Sequence, residues 1–198
     1  EGVTVSRIRV LRASRTTRRL GAYLVGLGGD PELVLYDNLL RTASRGEIEV
    51  AVAHELGHER ERNDLLTYGA TALALAGLLW LVAVILRRGG RRKGINGAGD
   101  VATLPLLGFV VWFTFQGLAP LSAWRSREAE RRADQRALVL TGDPQSAIRL
   151  HVRLAKRNRS ELAPPRWVQV LWSTHPSPGE RIATARWYAQ WLQARQRR

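Results

Sequence analysis

Two long uncharged runs constrain this chain more than any other feature. Leu65 to Leu86 and Val101 to Trp124 contain no Asp, Glu, Lys or Arg. The first is dominated by Leu, Ala and Val; the second carries Trp112 and Trp124, with Pro105 and Pro120 near its ends. At 1.5 Å per helical residue, about 22 residues reach roughly 33 Å, the thickness of a bilayer's hydrocarbon core. A chain of 198 residues is too short to surround two fully apolar helices of that length in one soluble core. The runs therefore predict a transmembrane hairpin, with spans at about 65–86 and 101–124, between an N-terminal segment 1–64 and a C-terminal segment 125–198. Arg87 to Gly99 between the spans reads as a basic, Gly-rich loop.

The charge agrees with a membrane setting. There are 31 basic and 17 acidic residues, a net charge of +14, and lysine occurs only at Lys93 and Lys156. Such a balance suits nucleic acid or an anionic membrane surface. No nucleic-acid recognition motif or stacking platform is set into the basic stretches, so the lipid bilayer is the expected partner and nucleic acid is not. Cysteine is absent, which excludes disulfides, Cys-ligated zinc and a thiol nucleophile. Methionine is absent too, which fits a segment of a longer or processed chain. No signal-peptide pattern opens it.

Outside the apolar runs the pattern is one of short strands, then helices. Val3 to Leu11 alternates as a half-buried strand does; Ala22 to Leu27 is a second strand, ended by Gly28-Gly29-Asp30-Pro31, and Leu33 to Tyr36 a third. Together they predict a small antiparallel element, followed by a helix from about Asp37 and another through Gly46 to His58. After Trp124, a helix over Arg125 to Leu140 is broken at Gly142-Asp143-Pro144. Asp143 then caps a helix from Pro144 to about Arg157. A break at Pro164-Pro165 and a loop from Ser173 to Gly179 lead to a terminal helix from Glu180 to Arg197. The expected fold class is a mainly α membrane protein with a small antiparallel β element.

The chemistry sits at His54-Glu55-Leu56-Gly57-His58, an H-E-x-x-H run. Residues four apart on a helix differ by only about 40° in direction, so His54 and His58 can share one Zn²⁺. Glu55 beside them is placed to act as general base on water. A catalytic zinc needs a third protein ligand. His151, His175, Glu128, Glu130 and Asp134 are the available donors after the second apolar run. Glu130 has Asp134 one turn on, ready to orient a zinc histidine. Glu128 lies about 200° away and has the cation Arg132 in that place. His151 carries no spacing signal and is read as structural.

These stretches, taken in order, resemble the type I CAAX prenyl endopeptidases and the related heat-shock membrane proteases, which are gluzincin zinc enzymes. The resemblance is carried by Arg15-Thr16-Thr17, Ala22-Tyr23 and Gly26-Leu27-Gly28, then by Val34-Leu35-Tyr36-Asp37-Asn38-Leu39-Leu40. It continues through Glu47-Ile48 and Val52 to His58, then Ser126-Arg127 with Glu130, Ala133 and Asp134. Ser173-Thr174-His175-Pro176 with Arg181 and Ile182 completes it, and the apolar runs fall where that family places membrane helices. Gly21 stands where the family has Asn, and the family's further membrane helices before the catalytic segment are not in this sequence.

The resemblance implies one zinc per chain on His54, His58 and Glu130, with Glu55 as general base and Asp134 bonded to a zinc histidine. It gives His175 the developing oxyanion, with Arg181 supporting that side. The strand at Ala22 and Tyr23 would pair with an extended peptide or protein substrate, membrane-anchored ones included. The expected function is a membrane-bound zinc metalloendopeptidase in which Glu55 activates a zinc-bound water. The alternatives are a non-catalytic membrane scaffold or a basic membrane-surface binding protein that keeps the fold. Five basic residues in the connecting loop face six near the span ends on the other side (Arg60, Arg62, Arg125, Arg127, Arg131, Arg132). With the resemblance, that balance leans toward a bacterial inner membrane and a catalytic part facing the cytoplasm.

Overall fold

In a computed structural model of the chain, residues 4–26, 30–59, 65–90, 101 and 104–197 are described. The expectations for Val3, Gly28-Gly29, Arg60, Arg62 and the basic loop beyond Gly90 lie outside these residues. The fold is mainly helical with one small sheet. Its strands β1 (Arg7–Leu11), β2 (Ala22–Val25) and β3 (Glu32–Tyr36) lie in the order β1-β3-β2. β2 and β3 form an antiparallel pair with Ala22 opposite Leu35, but β1 runs parallel to β3 with Arg7 opposite Glu32.

The sheet is thus mixed, which corrects the antiparallel element expected from the sequence. Alternation identifies a strand but says nothing about its partner. Here β3, whose Leu33, Val34 and Leu35 are buried, takes the centre, and residues 12–21 carry the chain from one edge to the other. A 3₁₀ turn at Ala13–Arg15 lies on that path, and Asp37 tethers it by accepting from the Ser14 backbone N–H at 2.8 Å. All five residues of β1 are exposed, so its alternation does not report half-burial.

The chain forms two compact units, residues 1–63 with 123–198, and residues 64–122. In the first, α1 (Asp37–Thr42) leads into α2 (Arg45–Glu59). The Glu47 carboxylate accepts from the Ser44 backbone N–H at 2.7 Å and from Arg153 Nε at 2.9 Å, which satisfies an amide at the helix start. The charged part of α4 (Leu104–Thr141) follows, ending at Gly142, whose φ of 60° is one that glycine tolerates at a helix end. Then come α5 (Pro144–Asn158), α6 (Arg166–Leu171) and α7 (Pro178–Gln196). Asp143 caps α5 through the Ser146 N–H, as its position before Pro144 predicts. Leu39, Val50, Ala53, Ala137, Leu138, Leu150 and Ala185 are packed into the core of this unit.

The second unit holds α3 (Leu65–Gly90) and the apolar start of α4. Leu75, Leu79, Trp80, Phe109, Trp112 and Phe113 are exposed on it. The second apolar run and the charged helix expected after it are one helix. Pro120 sits inside, where it removes one backbone hydrogen bond without ending the helix. Among the described residues one stretch, Leu107–Thr141, is long and apolar enough to cross a membrane, and Ala72–Ile85 is a shorter apolar helix. Of the two spans expected, that measure is met by one.

Candidate metal centre

The site forms where α2 crosses the charged half of α4. Small residues set the distance: a Cβ added at Gly57 would lie 3.1 Å from the Ala133 Cα, so the two backbones nearly touch. Arg136 Nη1 donates to the Gly57 carbonyl at 2.6 Å, tying the end of α2 to α4. His54 and His58, one turn apart on α2, then meet Glu130 and Asp134, one turn apart on α4.

Three donor groups converge. The Nε2 atoms of His54 and His58 are 3.1 Å apart. His54 Nε2 lies 3.3 Å from Glu130 Oε2, and His58 Nε2 lies 3.4 Å from Glu130 Oε1. Donors bound tetrahedrally to zinc at about 2.0–2.1 Å are separated by roughly 3.3 Å. The imidazole nitrogens lie close to that separation, each has a different Glu130 oxygen at a similar distance, and two imidazoles with one carboxylate are a donor set zinc accepts. The residues fit the ion.

Around these donors lies a second layer. Asp134 Oδ1 is 2.9 Å from His54 Nδ1, which places the His54 Nε2 lone pair toward the donor cluster when Nδ1 carries the proton. Arg181 Nε donates to Asp134 Oδ2 at 2.7 Å, and its Nη2 donates to Asp134 Oδ1, a bidentate pair in a buried setting. Arg181 stands in the first turn of α7, where Ser177 and Glu180 form a reciprocal capping box behind Pro178. The cap thus fixes the turn that delivers the guanidinium. His175, in the loop before α7, is mostly exposed and its Nδ1 lies 3.0 Å from Glu130 Oε1. Glu128 points elsewhere, its carboxylate 3.2 Å from Arg131 Nη1.

The electrostatics call for a cation. Burial pushes the Glu130 carboxyl up, but hydrogen bonds from His175, His54 and His58 outweigh it and hold it far below the usual carboxylate range. Asp134 is likewise raised by burial and lowered more by His54 and Arg181. Burial works to lower His54, yet its bonds to Asp134 and Glu130 push it up to about 9 without a metal. The cluster therefore holds a positive charge, as a proton or as a metal ion replacing it. Unlike the carboxyls of Glu130 and Asp134, that of Glu55 is left raised: burial pushes its pKa above the ordinary value.

A cavity of about 480 Å³ opens on this cluster. Glu55, His58, His175 and Arg181 line it, as do Gly21 and Ala22 from the start of β2. Tyr23 points to the other face of the strand, edge-on to Tyr36 at 6.0 Å, and is not part of the lining. At Gly21 an added Cβ would come within 3.2 Å of the Tyr36 ring, so the aromatic occupies the space a side chain there would need. His151, read as structural from sequence, is in the cavity wall, buried, with Nε2 4.0 Å from Asp134 Oδ1. Burial drives its pKa down to about 3, helped by the Arg181 charge. The signal was present: Ala147, Leu150, His151, Leu154 and Ala155 recur at helical spacing and put His151 on the inward face of α5.

The model of peptidase family M48 matches residues 5–189, nearly the whole chain. The chain belongs to peptidase family M48. That membership agrees with the resemblance carried by its motifs. Among curated M48-like relatives, it is 33% identical to the protease HtpX homolog of Acaryochloris marina, over 85% of this chain and 63% of that protein. It is 30% identical to the uncharacterized metalloprotease YhfN of Bacillus subtilis, over 87% of this chain and 41% of the relative. The chain thus spans about half the length of these relatives. The crystal structure of S. mikatae Ste24p shares its fold, with a TM-score of 0.77 at 22% identity, over 93% of this chain and 47% of Ste24p.

Proposed function

We propose that this M48 chain is the catalytic segment of a membrane-bound zinc metalloendopeptidase. The observation that carries the reading is the convergence of His54, His58 and Glu130 donor atoms, all within 4.8 Å of one another, beside Glu55 in one cavity. One zinc ion held by these three side chains supplies Lewis acidity to water and to a peptide carbonyl.

The remaining steps belong to the chain's own residues. Glu55, its proton affinity raised by burial, takes a proton from the attacking water and delivers it to the leaving amine nitrogen. His175 donates toward the negative charge that develops on the carbonyl oxygen. Asp134, clamped by Arg181, keeps His54 in one tautomer and one orientation. β2 is a sheet edge beginning at the cavity wall, so an extended peptide can add to it through backbone hydrogen bonds at Ala22 and Tyr23.

The apolar runs at 65–86 and 101–124 anchor the protein as two spans, with the catalytic part on the cytoplasmic side. Its substrates are peptides or proteins presented at the membrane surface, including anchored ones. The test is zinc content and hydrolysis of a quenched peptide by the detergent-solubilised protein, wild type against Glu55→Gln. The variant keeps one zinc per chain and loses hydrolysis by at least roughly 10²–10⁴-fold, the range for a general base. Near-native turnover by the variant, or a wild type that binds zinc and cleaves nothing, would defeat the reading.

A further inference from the structure

Helix α6 turns its apolar stripe the wrong way for a soluble protein. Trp167, Val170 and Leu171 stand at i, i+3 and i+4, the spacing of a face that ordinarily packs inward. Here they are 61%, 54% and 37% exposed, and no residue of α6 is buried. Trp172 follows at 59% exposure, its ring edge-on to Trp167 at 5.6 Å. Single exposed hydrophobics are common, but a helix whose whole apolar stripe faces outward is not.

The inward side of α6 is held by one buried cation. Arg127 Nη1 donates to the Gln169 carbonyl at 2.5 Å and to the Ser173 carbonyl at 2.6 Å, gripping α6 and the loop just past it. Arg127 belongs to α4 and lies three residues after Trp124, about 4.5 Å along the helix axis. The uncharged run ends at Trp124, itself exposed within the same compact unit. Arg127 therefore fastens α6 at the level where the apolar part of α4 gives way to charge. Two tryptophans on the outward face, with Arg166 exposed beside them, form the side-chain mixture that settles at a bilayer's headgroup boundary.

We propose that α6 is an interfacial element, with Trp167, Val170, Leu171 and Trp172 immersed in the headgroup–acyl boundary of the lipid bilayer. A helix of six residues would not hold to a membrane alone; here α4 brings it there. The consequence is positional. His175 follows Trp172 by three residues, so the loop that lines the metal cavity is pinned at the lipid surface. This inference rests on the reading that the apolar run of α4 crosses a membrane.

The absence of cysteine makes the test direct. Single-cysteine variants Leu171→Cys, Phe113→Cys and Lys156→Cys carry an environment-sensitive fluorophore in the full chain reconstituted into vesicles. The vesicles contain lipids spin-labelled either near the headgroup or at mid-chain. The Leu171 label should be blue-shifted and quenched several-fold more by the shallow quencher than by the deep one. The Phe113 label should favour the deep quencher, and the Lys156 label should respond to neither. A Leu171 label as water-exposed as Lys156, with Phe113 quenched normally, overturns this inference and leaves the span intact. A shielded Leu171 label that ignores both quenchers and depends on protein density also overturns it, giving the face to a second copy of the chain. An unquenched Phe113 label removes the span, and the inference with it.

Discussion

In the first half of α4, Phe109, Trp112, Phe113 and Phe115 are each about three-fifths exposed, while in the second half Arg127, Glu130 and Asp134 are each no more than 8% exposed. The two halves of one helix thus invert the ordinary rule in opposite directions, apolar groups outside in one and charges inside in the other. Neither inversion is stable in water alone. Exposed apolar surface on this scale calls for a non-aqueous surround. Buried carboxylates call for cations, and Arg181, the histidines and a metal are what the site can supply. Under the proposed function each departure from soluble patterning has its own partner, lipid for the first half and a cation for the second.

The contrast can be broken at either end. The largest effect is expected at Glu130→Gln, which should weaken zinc binding by more than about 100-fold, beyond the range for outer-layer partners. Glu128→Gln, two residues away and paired with Arg131, should change it within a few-fold; chelator competition measures both. If zinc leaves the Glu128 variant and stays with the Glu130 variant, the helix face is wrongly assigned. In the apolar half, Phe113→Arg should cost about 3 kcal/mol of membrane insertion. The fraction of chain resisting alkaline carbonate extraction reports it, and an unchanged fraction would remove lipid from that face.

The charged half can be sharpened with Asp134→Asn, which keeps the shape but loses the charge that Arg181 and His54 share. About 10- to 100-fold weaker zinc binding is expected. Native affinity would show that His54 needs no such support. The smallest effect belongs to Glu47→Gln at the start of α2. Burial raises the Glu47 carboxyl, but Arg153 and Ser44 outweigh it, so its pKa lies below the ordinary 4.5. A depressed carboxyl contributes stability above its unfolded pKa and loses it as the pH falls through the folded value. Thermal unfolding should therefore show the variant less stable by about 1 kcal/mol near neutrality, with the gap closing in acid. A gap that widens in acid would contradict the assigned ion pair.

What the sequence disclosed followed the range of the interaction. H-E-x-x-H and the Glu130–Asp134 pair are local repeats at helical spacing, which puts each pair on one face of its own helix; that the two faces meet is a long-range contact, implied beforehand only by the family resemblance. Asp143 before Pro144 was a readable cap for the same reason. Ser177, three residues before Glu180, carries the same local signal, yet the terminal helix expected from Glu180 in fact begins at Pro178 behind that cap. Strand partnership was not all local: β1 and β2 read alike, yet β2 meets β3 as a near neighbour in sequence while β1 pairs with it more than twenty residues away, in the parallel sense. The boundary expected between Trp124 and Arg125 lies where charge begins, yet one helix runs through it with Pro120 inside, because a change of polarity does not end a helix and the surroundings decide whether the lost hydrogen bond is tolerated. His151 was a lone histidine whose apolar neighbours at helical spacing put it on the inward face of α5; that this face borders a cavity rather than solid core was not readable from the register.

The near-contact of Gly57 with Ala133 has a consequence for how such a site can drift over time. The separation of the ligand-bearing helices is gauged by backbone against backbone, not by side chains that could be traded for others of similar bulk. Substitutions at lining positions away from the donors, such as Ala22 or Leu154, can reshape the cavity and leave the donor cluster untouched. At position 57, by contrast, an added methyl group would lie 3.1 Å from the Ala133 Cα, so backbone on one helix or the other would have to give by a few tenths of an ångström. The same thin joint would thus leave the choice of substrate free to wander while the chemistry stays in gauge.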